Sequence, residues 1–131
     1  MSSPTPGQTN LGVAPNVGAL LCYLPLCCVG FIFAVVVAIV EKQSRFLRFH
    51  AFQSLLFHAA AFGLAIAVQV LQVILVVVHL GILGMLIWVF QLLIGVGLLG
   101  ISIFLMIKAN GNEEFQLPVI GEMAKKWAYG G

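Results

Sequence analysis

The fold of this chain is decided by residues 49–107, which read FHAFQSLLFHAAAFGLAIAVQVLQVILVVVHLGILGMLIWVFQLLIGVGLLGISIFLMI. These 59 residues contain no Asp, Glu, Lys or Arg. As one straight helix the run would be about 88 Å long, whereas the hydrocarbon core of a bilayer is roughly 30 Å thick. The run therefore predicts a membrane-embedded segment that folds back on itself at least once.

The composition of the whole chain supports this prediction. Of its 131 residues, 62% are hydrophobic and 8% are charged, and the mean hydropathy is +1.14. A soluble domain carries about 25% charged residues. The sequence therefore predicts an all-α integral membrane protein in the lipid bilayer, and a nucleic-acid partner is not expected.

Three transmembrane helices account for the apolar segments. Residues 17–40 are long enough to cross a membrane even though Pro25 lies among them. Within the uncharged run, HLGILG at 79–84 is the best break, because a polar residue is followed there by two glycines. We therefore predict spans at about 17–40, 44–78 and 82–107.

The positions of the positive charges favour three spans over four. Every Lys and Arg lies either within 42–48, around the start of the second predicted span, or after the last span. Three spans put all six on one face, as the positive-inside rule requires, whereas four spans would divide them equally. We therefore expect an N-terminus outside and a C-terminus in the cytoplasm.

The two ends of the chain have different compositions. Residues 1–16 are uncharged and rich in Pro, Gly, Ser and Thr, which predicts a flexible, non-cytoplasmic tail before the transmembrane domain at 17–107. Residues 108–131 form a predicted cytoplasmic tail, in which about 118–129 has the amphipathic pattern of a short interfacial helix. Residues expected to contact anionic lipid headgroups or a partner protein are Lys42, Arg45, Arg48, Lys125, Lys126 and Trp127. Glu41 is expected to pair with Arg45.

A row of polar side chains runs along the second predicted helix. At 100° per residue its members fall within an arc of about 120°. Such a row is expected to face other helices, a second copy of the chain, or a cavity that holds water or a ligand, because unpartnered polar groups are costly in hydrocarbon. We call this row, together with one glutamine of the third helix, the polar stripe: His50, Ser54, His58, Gln69, Gln72, His79 and Gln91.

The sequence predicts neither an enzyme nor a metal or cofactor site. Its four carboxylates lie outside the predicted spans, and no nucleophile and base stand at a recognisable spacing. Ligation of a tetrapyrrole, either chlorophyll or haem, by one of His50, His58 or His79 is an alternative hypothesis.

Three spaced segments resemble a known family. GALLCYLPLCCVGFIF at 18–33, VEKQSRFLRFHAFQSLLF at 40–57 and FLMIKANGNEEFQLPVIGEMAKK at 104–126 are similar to the chloroplast-import-component-like family of small bacterial and archaeal membrane proteins. These are distant relatives of the channel subunit of the plastid inner-envelope translocon. The resemblance implies a helical protein of a prokaryotic plasma membrane. The plastid relatives have four spans and work within a translocon.

Two functions are compatible with these features. The first is an accessory or scaffold subunit, which packs against other membrane-protein subunits or against copies of itself. The alternative is an oligomeric pore or translocation component whose path is lined by the polar stripe, since three helices from one chain are too few to enclose a wide pore.

Overall fold

A computed structural model describes residues 9–25 and 28–130, and every described helix is α-helical. There are five helices: α1 (Pro15–Cys22), α2 (Val29–Val40), α3 (Arg45–Val77), α4 (Gly81–Asn110) and α5 (Ile120–Gly130). Helix α3 is central, because it packs against each of the other four. The all-α prediction is confirmed. The first eight residues of the predicted tail lie outside the described residues.

The two long helices are confirmed close to their predicted positions. α3 has 33 residues and α4 has 30, and both are long and apolar enough to cross a membrane. The side chain of Ser44 caps the start of α3 by accepting a hydrogen bond from the main-chain N–H of Leu47 at 3.1 Å. The predicted break falls where expected, since α3 ends at Val77 and His79 takes the left-handed conformation with φ of 63°.

The first predicted span is not one helix, so the prediction of three transmembrane helices is not confirmed. α1 ends at Cys22, the chain leaves the helical conformation near Pro25, and α2 begins at Val29. Proline lacks an N–H and disfavours a helical conformation in the residue before it. Helices α1 and α2 have 8 and 12 residues, or about 12 and 18 Å, and each is too short to cross roughly 30 Å of hydrocarbon alone.

Helices α1 and α2 form a hairpin whose two ends lie at the same end of the molecule. The side-chain amide of Asn16, in α1, donates to the carbonyl oxygen of Asn110 at the end of α4. The main-chain N–H of Asn10 donates to Glu41, which follows α2. This arrangement differs from the prediction that the N-terminal tail and the C-terminal tail lie on opposite faces, because the chain turns back near Pro25.

The molecule has a covered end and an uncovered end. We call residues 9–25, 28–58 and 102–130 the base, where α1, α2 and α5 pack around the first half of α3 and the end of α4. We call residues 59–101 the distal hairpin, which contains the other half of α3, the turn and most of α4. Gly84 is the only buried residue of the distal hairpin. The buried core therefore lies entirely in the base, apart from that glycine.

Candidate functional site

The base contains a buried polar network centred on Gln53. Its side-chain N–H groups donate to the hydroxyl of Tyr23 at 2.8 Å and to the carbonyl oxygen of Phe115 at 2.9 Å. Its side-chain oxygen accepts from the main-chain N–H of Leu117 at 2.9 Å. One fully buried amide thus joins α3 to the turn after α1 and to the segment that connects α4 and α5.

His50 lies one helical turn earlier and contacts the same two segments. Its Nδ1 lies 2.9 Å from the Tyr23 hydroxyl, and its Nε2 lies 3.0 Å from the carbonyl oxygen of Glu113. Because a carbonyl oxygen only accepts, Nε2 carries the proton and Nδ1 accepts from Tyr23. Tyr23 in turn accepts from Gln53, so every donor in this chain of bonds meets an acceptor. Phe46 and Phe49 pack edge-on against the imidazole.

Ser54 and His58 hold the α1–α2 hairpin against α3, through contacts with α1 and α2 respectively. The Ser54 hydroxyl donates to the carbonyl oxygen of Cys22, the last residue of α1. The Nδ1 of His58 lies 2.7 Å from the carbonyl oxygen of Ser54, and the ring packs edge-on against Phe31 of α2. These contacts place the turn between α1 and α2 beside the middle of α3.

Glu41 is fully buried and binds main-chain N–H groups, which corrects the expected pairing with Arg45. One carboxylate oxygen accepts from Asn10 at 2.9 Å, and the other accepts from Gln43 and Ser44 at 2.8 and 3.0 Å. The side-chain oxygen of Asn10 accepts from the N–H groups of Lys42 and Gln43. A carboxylate that accepts several N–H bonds needs no side-chain cation.

The predicted headgroup contacts gather where α5 crosses the start of α3. Arg48 donates to the carbonyl oxygen of Ala128 at 3.4 Å, and Trp127 packs edge-on against Phe52. Arg45 and Lys125 both lie over the ring of Tyr129. Lys42 and Lys126 are exposed on the surface.

Tyr129 also joins α5 to the preceding segment through its hydroxyl. This hydroxyl donates to the carboxylate of Glu114. Burial, followed by the hydrogen bond and charge of Glu114, raises the pKa of Tyr129 to about 12. The neutral phenol is therefore retained well above neutral pH.

The rest of the polar stripe lies on the distal hairpin and joins nothing in the base. The side-chain amide of Gln91 donates to the side-chain oxygen of Gln69 at 2.7 Å, which links α4 to α3. The side-chain oxygen of Gln72 has no hydrogen-bond partner among the described residues. His79 is exposed in the turn. The structure therefore divides the stripe into a basal set, in which His50 and Ser54 are buried and His58 is half-buried, and a distal set.

Sequence reasoning missed three of the residues that bind segments of the base together: Gln53, Tyr23 and Asn10. Gln53 lies about 60° beyond His50, which is at the edge of the arc used to define the stripe, although it belongs to the segment RFHAFQS at 48–54. Tyr23 and Asn10 lie in segments that were expected to be a transmembrane helix and a flexible tail. For Gln53, the available signal was its position three residues after a histidine, at the start of an apolar helix.

The structure has two long apolar helices and a buried polar network, and all six Lys and Arg side chains lie in the base. These features define the chain as a small α-helical membrane protein. The Magnetosome magnetite crystal formation protein family matches residues 9–124. The chain belongs to this family. The match includes both long helices, the α1–α2 hairpin and most of the base.

Archaeal relatives extend the comparison. The chain is 34% identical to the UPF0132 membrane protein MJ1443 of Methanocaldococcus jannaschii over 93% of this chain and 96% of that protein. It is 32% identical to the UPF0132 membrane protein MJ1527 of the same organism, over 89% and 72% of the two chains. A UPF0132 membrane protein of Archaeoglobus fulgidus is 31% identical over 85% and 92%. No solved structure matches the chain. These names agree with a location in prokaryotic membranes.

These comparisons correct the resemblance to the chloroplast-import-component-like family, which is wrong. The chain matches the magnetosome family over almost its full length instead. Within the quoted segment 40–57, His50, Gln53 and Ser54 bind main-chain groups of the base, so these residues have a structural role in this chain.

Proposed function

We propose that this protein is a non-enzymatic accessory or scaffold subunit, which packs laterally into a larger membrane assembly through its distal hairpin. The observation that carries the proposal is the polar row on an otherwise apolar and exposed surface. Gln69 is exposed there and accepts a hydrogen bond from Gln91. The Gln72 side-chain oxygen is buried and lacks a partner among the described residues, so a change of side-chain rotamer would turn it toward another subunit. In hydrocarbon, an amide without a full set of partners is costly, and a helix of another subunit would supply them.

The surface beside these amides has the composition of a helix–helix interface. Ala61, Ala65 and Gly95 line a shallow groove next to Gln91. Small residues let helix backbones approach closely, and amide side chains form hydrogen bonds between transmembrane helices. The base, in contrast, bonds most of its buried polar groups internally, although the Nε of Arg48 has no partner among the described residues. We therefore place the partner on the distal hairpin, and the partner is either another membrane protein or a second copy.

We also propose a membrane topology that fits the helix lengths. Helices α3 and α4 cross the bilayer, while α1 and α2 enter and leave it on one face as a re-entrant hairpin. The side-chain contacts of Asn16 with Asn110 and of Asn10 with residues 41–43 support this arrangement. All positive charges then lie on one face, and the positive-inside rule makes that face cytoplasmic.

The family description concerns magnetite crystal formation, and for this chain we propose an assembly role within the membrane. Among the described residues, no group of three or more His, Cys, Asp or Glu side chains is close enough to hold a metal ion. The proposal therefore does not depend on metal binding. We do not propose the pore, whose link to translocation came from the plastid resemblance, or the tetrapyrrole site, because no contact specifically favours either.

The test is extraction of native membranes in a mild detergent, followed by affinity capture and mass spectrometry. We expect capture of larger membrane proteins at fixed stoichiometry, or a defined oligomer, and loss of that association in Gln69→Leu/Gln72→Leu. A matched control is Leu93→Met, which alters a lipid-exposed apolar side chain of the same hairpin. Recovery of the wild-type chain only as a monomer, with no other protein, would contradict the proposal.

A further inference from the structure

An open groove lies on the outer face of α5, beside the segment that precedes it. Its volume is about 680 Å³, which is within the range of small-molecule sites. We call it the basal groove. The residues that line it include Val119, Glu122, Met123, Lys125, Lys126 and Tyr129.

Cationic groups from two helices lie in and beside this groove. Lys125 and Lys126 line it, and Lys125 lies 5.7 Å from the centre of the Tyr129 ring. Arg45, from the first turn of α3, lies beside the groove, 5.6 Å from the centre of the same ring. Glu122 lines the groove, and Glu114, which keeps its charge while it accepts from the Tyr129 hydroxyl, lies next to it. Three cations thus face two carboxylates, and the balance of charge is positive.

The same groove has an apolar portion. Val119 and Met123 are 71% and 41% exposed, although both are hydrophobic. Trp127 is half-exposed on the neighbouring turn of α5 and packs against Phe52, where α3 continues into its apolar part. Tryptophan is enriched at the boundary between headgroups and hydrocarbon. The groove therefore combines cations with apolar surface at the level where α3 enters the bilayer.

We propose that the basal groove binds an anionic phospholipid, with its phosphate against Lys125, Lys126 and Arg45 and its glycerol and upper acyl chain over Met123 and Val119. An acidic protein segment would satisfy the cations, but it would leave the exposed apolar pair beside them without a matching surface. The position of Trp127 likewise favours a lipid. The bound lipid would tie α5 to α3 on the charged face of the protein.

The test measures lipid binding by the purified full-length chain. In a Trp88→Phe background, Trp127 is the remaining tryptophan, and its fluorescence is quenched by brominated phosphatidylglycerol added to phosphatidylcholine vesicles that contain the protein. Each basic side chain near an anionic surface contributes about 1 kcal/mol. We expect Arg45→Gln/Lys125→Gln to weaken the apparent affinity about 30-fold and Lys126→Gln about 5-fold.

A matched control removes the same charge elsewhere at the same end of the molecule. Lys108→Gln changes a lysine that does not line the groove and is paired with Glu113. This variant is expected to bind phosphatidylglycerol within about twofold of wild type. Equal weakening in Lys108→Gln and Lys126→Gln would overturn the proposal, because it would indicate general surface attraction. Saturable competition by inorganic phosphate or an acidic peptide, with no preference for phosphatidylglycerol over phosphatidylcholine, would also overturn it. Lys126→Gln, an exposed substitution, keeps the test valid if the double variant folds poorly.

Discussion

The two ends of this molecule use the same residue types in different ways. In the base, Gln53 makes three hydrogen bonds to Tyr23, Phe115 and Leu117 and is fully buried. In the distal hairpin, on the same helix, Gln72 has a side-chain oxygen with no partner in the part of the chain that the structure describes. Glycines differ in the same way, because Gly30 touches backbone whereas Gly97 has open space around it.

This difference is the basis of the proposed role. Apart from the Nε of Arg48, the buried polar groups of the base bind segments of the same chain and fix the path of α1, α2 and α5. Those of the distal hairpin have little to bind, even though their cost in hydrocarbon is the same. We interpret the base as the part that holds the fold together and the distal hairpin as the part available to another subunit.

The largest expected effect is all-or-none and concerns the sidedness of the base. In a chain whose three cysteines are replaced by alanine, Asn16→Cys and Lys126→Cys should react with a membrane-impermeant thiol reagent from the same side. Leu80→Cys, in the turn of the distal hairpin, should react only from the other side. The reason is that, in the proposed topology, α1 and α2 enter and leave the bilayer on the same face. Permeabilised vesicles, in which all three must react, are the control, and labelling of Asn16→Cys from the Leu80 side would disprove the re-entrant hairpin.

The second prediction compares two glutamines of α3. Gln53→Ala removes the partners of the Phe115 carbonyl and the Leu117 N–H, and buried groups left unpaired cost about 1–3 kcal/mol each. We expect the free energy of unfolding to fall by about 2–4 kcal/mol. Gln72→Ala should leave it unchanged or raise it by up to about 1–3 kcal/mol in the isolated chain, because it removes a buried oxygen that has no partner among the described residues. Reversible unfolding in mixed micelles measures both, and equal losses would remove the distinction between the two ends.

The sequence allowed the long helices to be predicted for physical reasons that are local. The length of the uncharged run, the break at 79–84 and the cap at Ser44 are all contained in neighbouring residues. The positive charges restrict how often the chain crosses between Arg48 and Lys108. They say nothing about residues 1–40, which contain no Lys or Arg, so the hairpin satisfies the same charge rule as a full span.

The broken first span and the division of the polar stripe could not be predicted, because both depend on contacts between distant residues. Pro25 alone does not decide between a kinked span and a hairpin. The hairpin is fixed by Ser54 on the Cys22 carbonyl and by the close approach of Gly30 to Leu24. Helical periodicity likewise places His50 and His79 on the same face of the second predicted helix. Among the described residues, the end of α1 and the turn after it bond to the start of α3, at residues such as His50 and Ser54, and not to the region of His79.

The third prediction concerns that close approach. A Cβ atom added to Gly30 would overlap the carbonyl oxygen of Leu24 and lie 2.9 Å from its nitrogen. Overpacking of this kind costs about 1–3 kcal/mol, so Gly30→Ala should lower the unfolding free energy by about 2 kcal/mol. Gly97→Ala meets no atom within 4 Å and should be neutral or stabilising by up to about 1 kcal/mol, since alanine favours helix. Thermal unfolding of the two variants in one detergent makes the comparison, and a stable Gly30→Ala protein would contradict the packing of the hairpin.

The smallest expected effect lies in the distal hairpin, where Gln91 donates to Gln69 at 2.7 Å. Hydrogen bonds between transmembrane helices average about 0.6 kcal/mol in double-mutant cycles, because the separated helices find other partners. A cycle of Gln69→Ala, Gln91→Ala and the double variant should therefore give a coupling of about 0.6 kcal/mol in the isolated chain. A cycle of Gln53→Ala with Tyr23→Phe in the base should give a larger coupling, since both side chains are fully buried. A distal coupling energy equal to or larger than the basal one would mean that Gln69 and Gln91 stabilise the packing of α3 against α4. The reason for placing a partner subunit on the distal hairpin would then be lost.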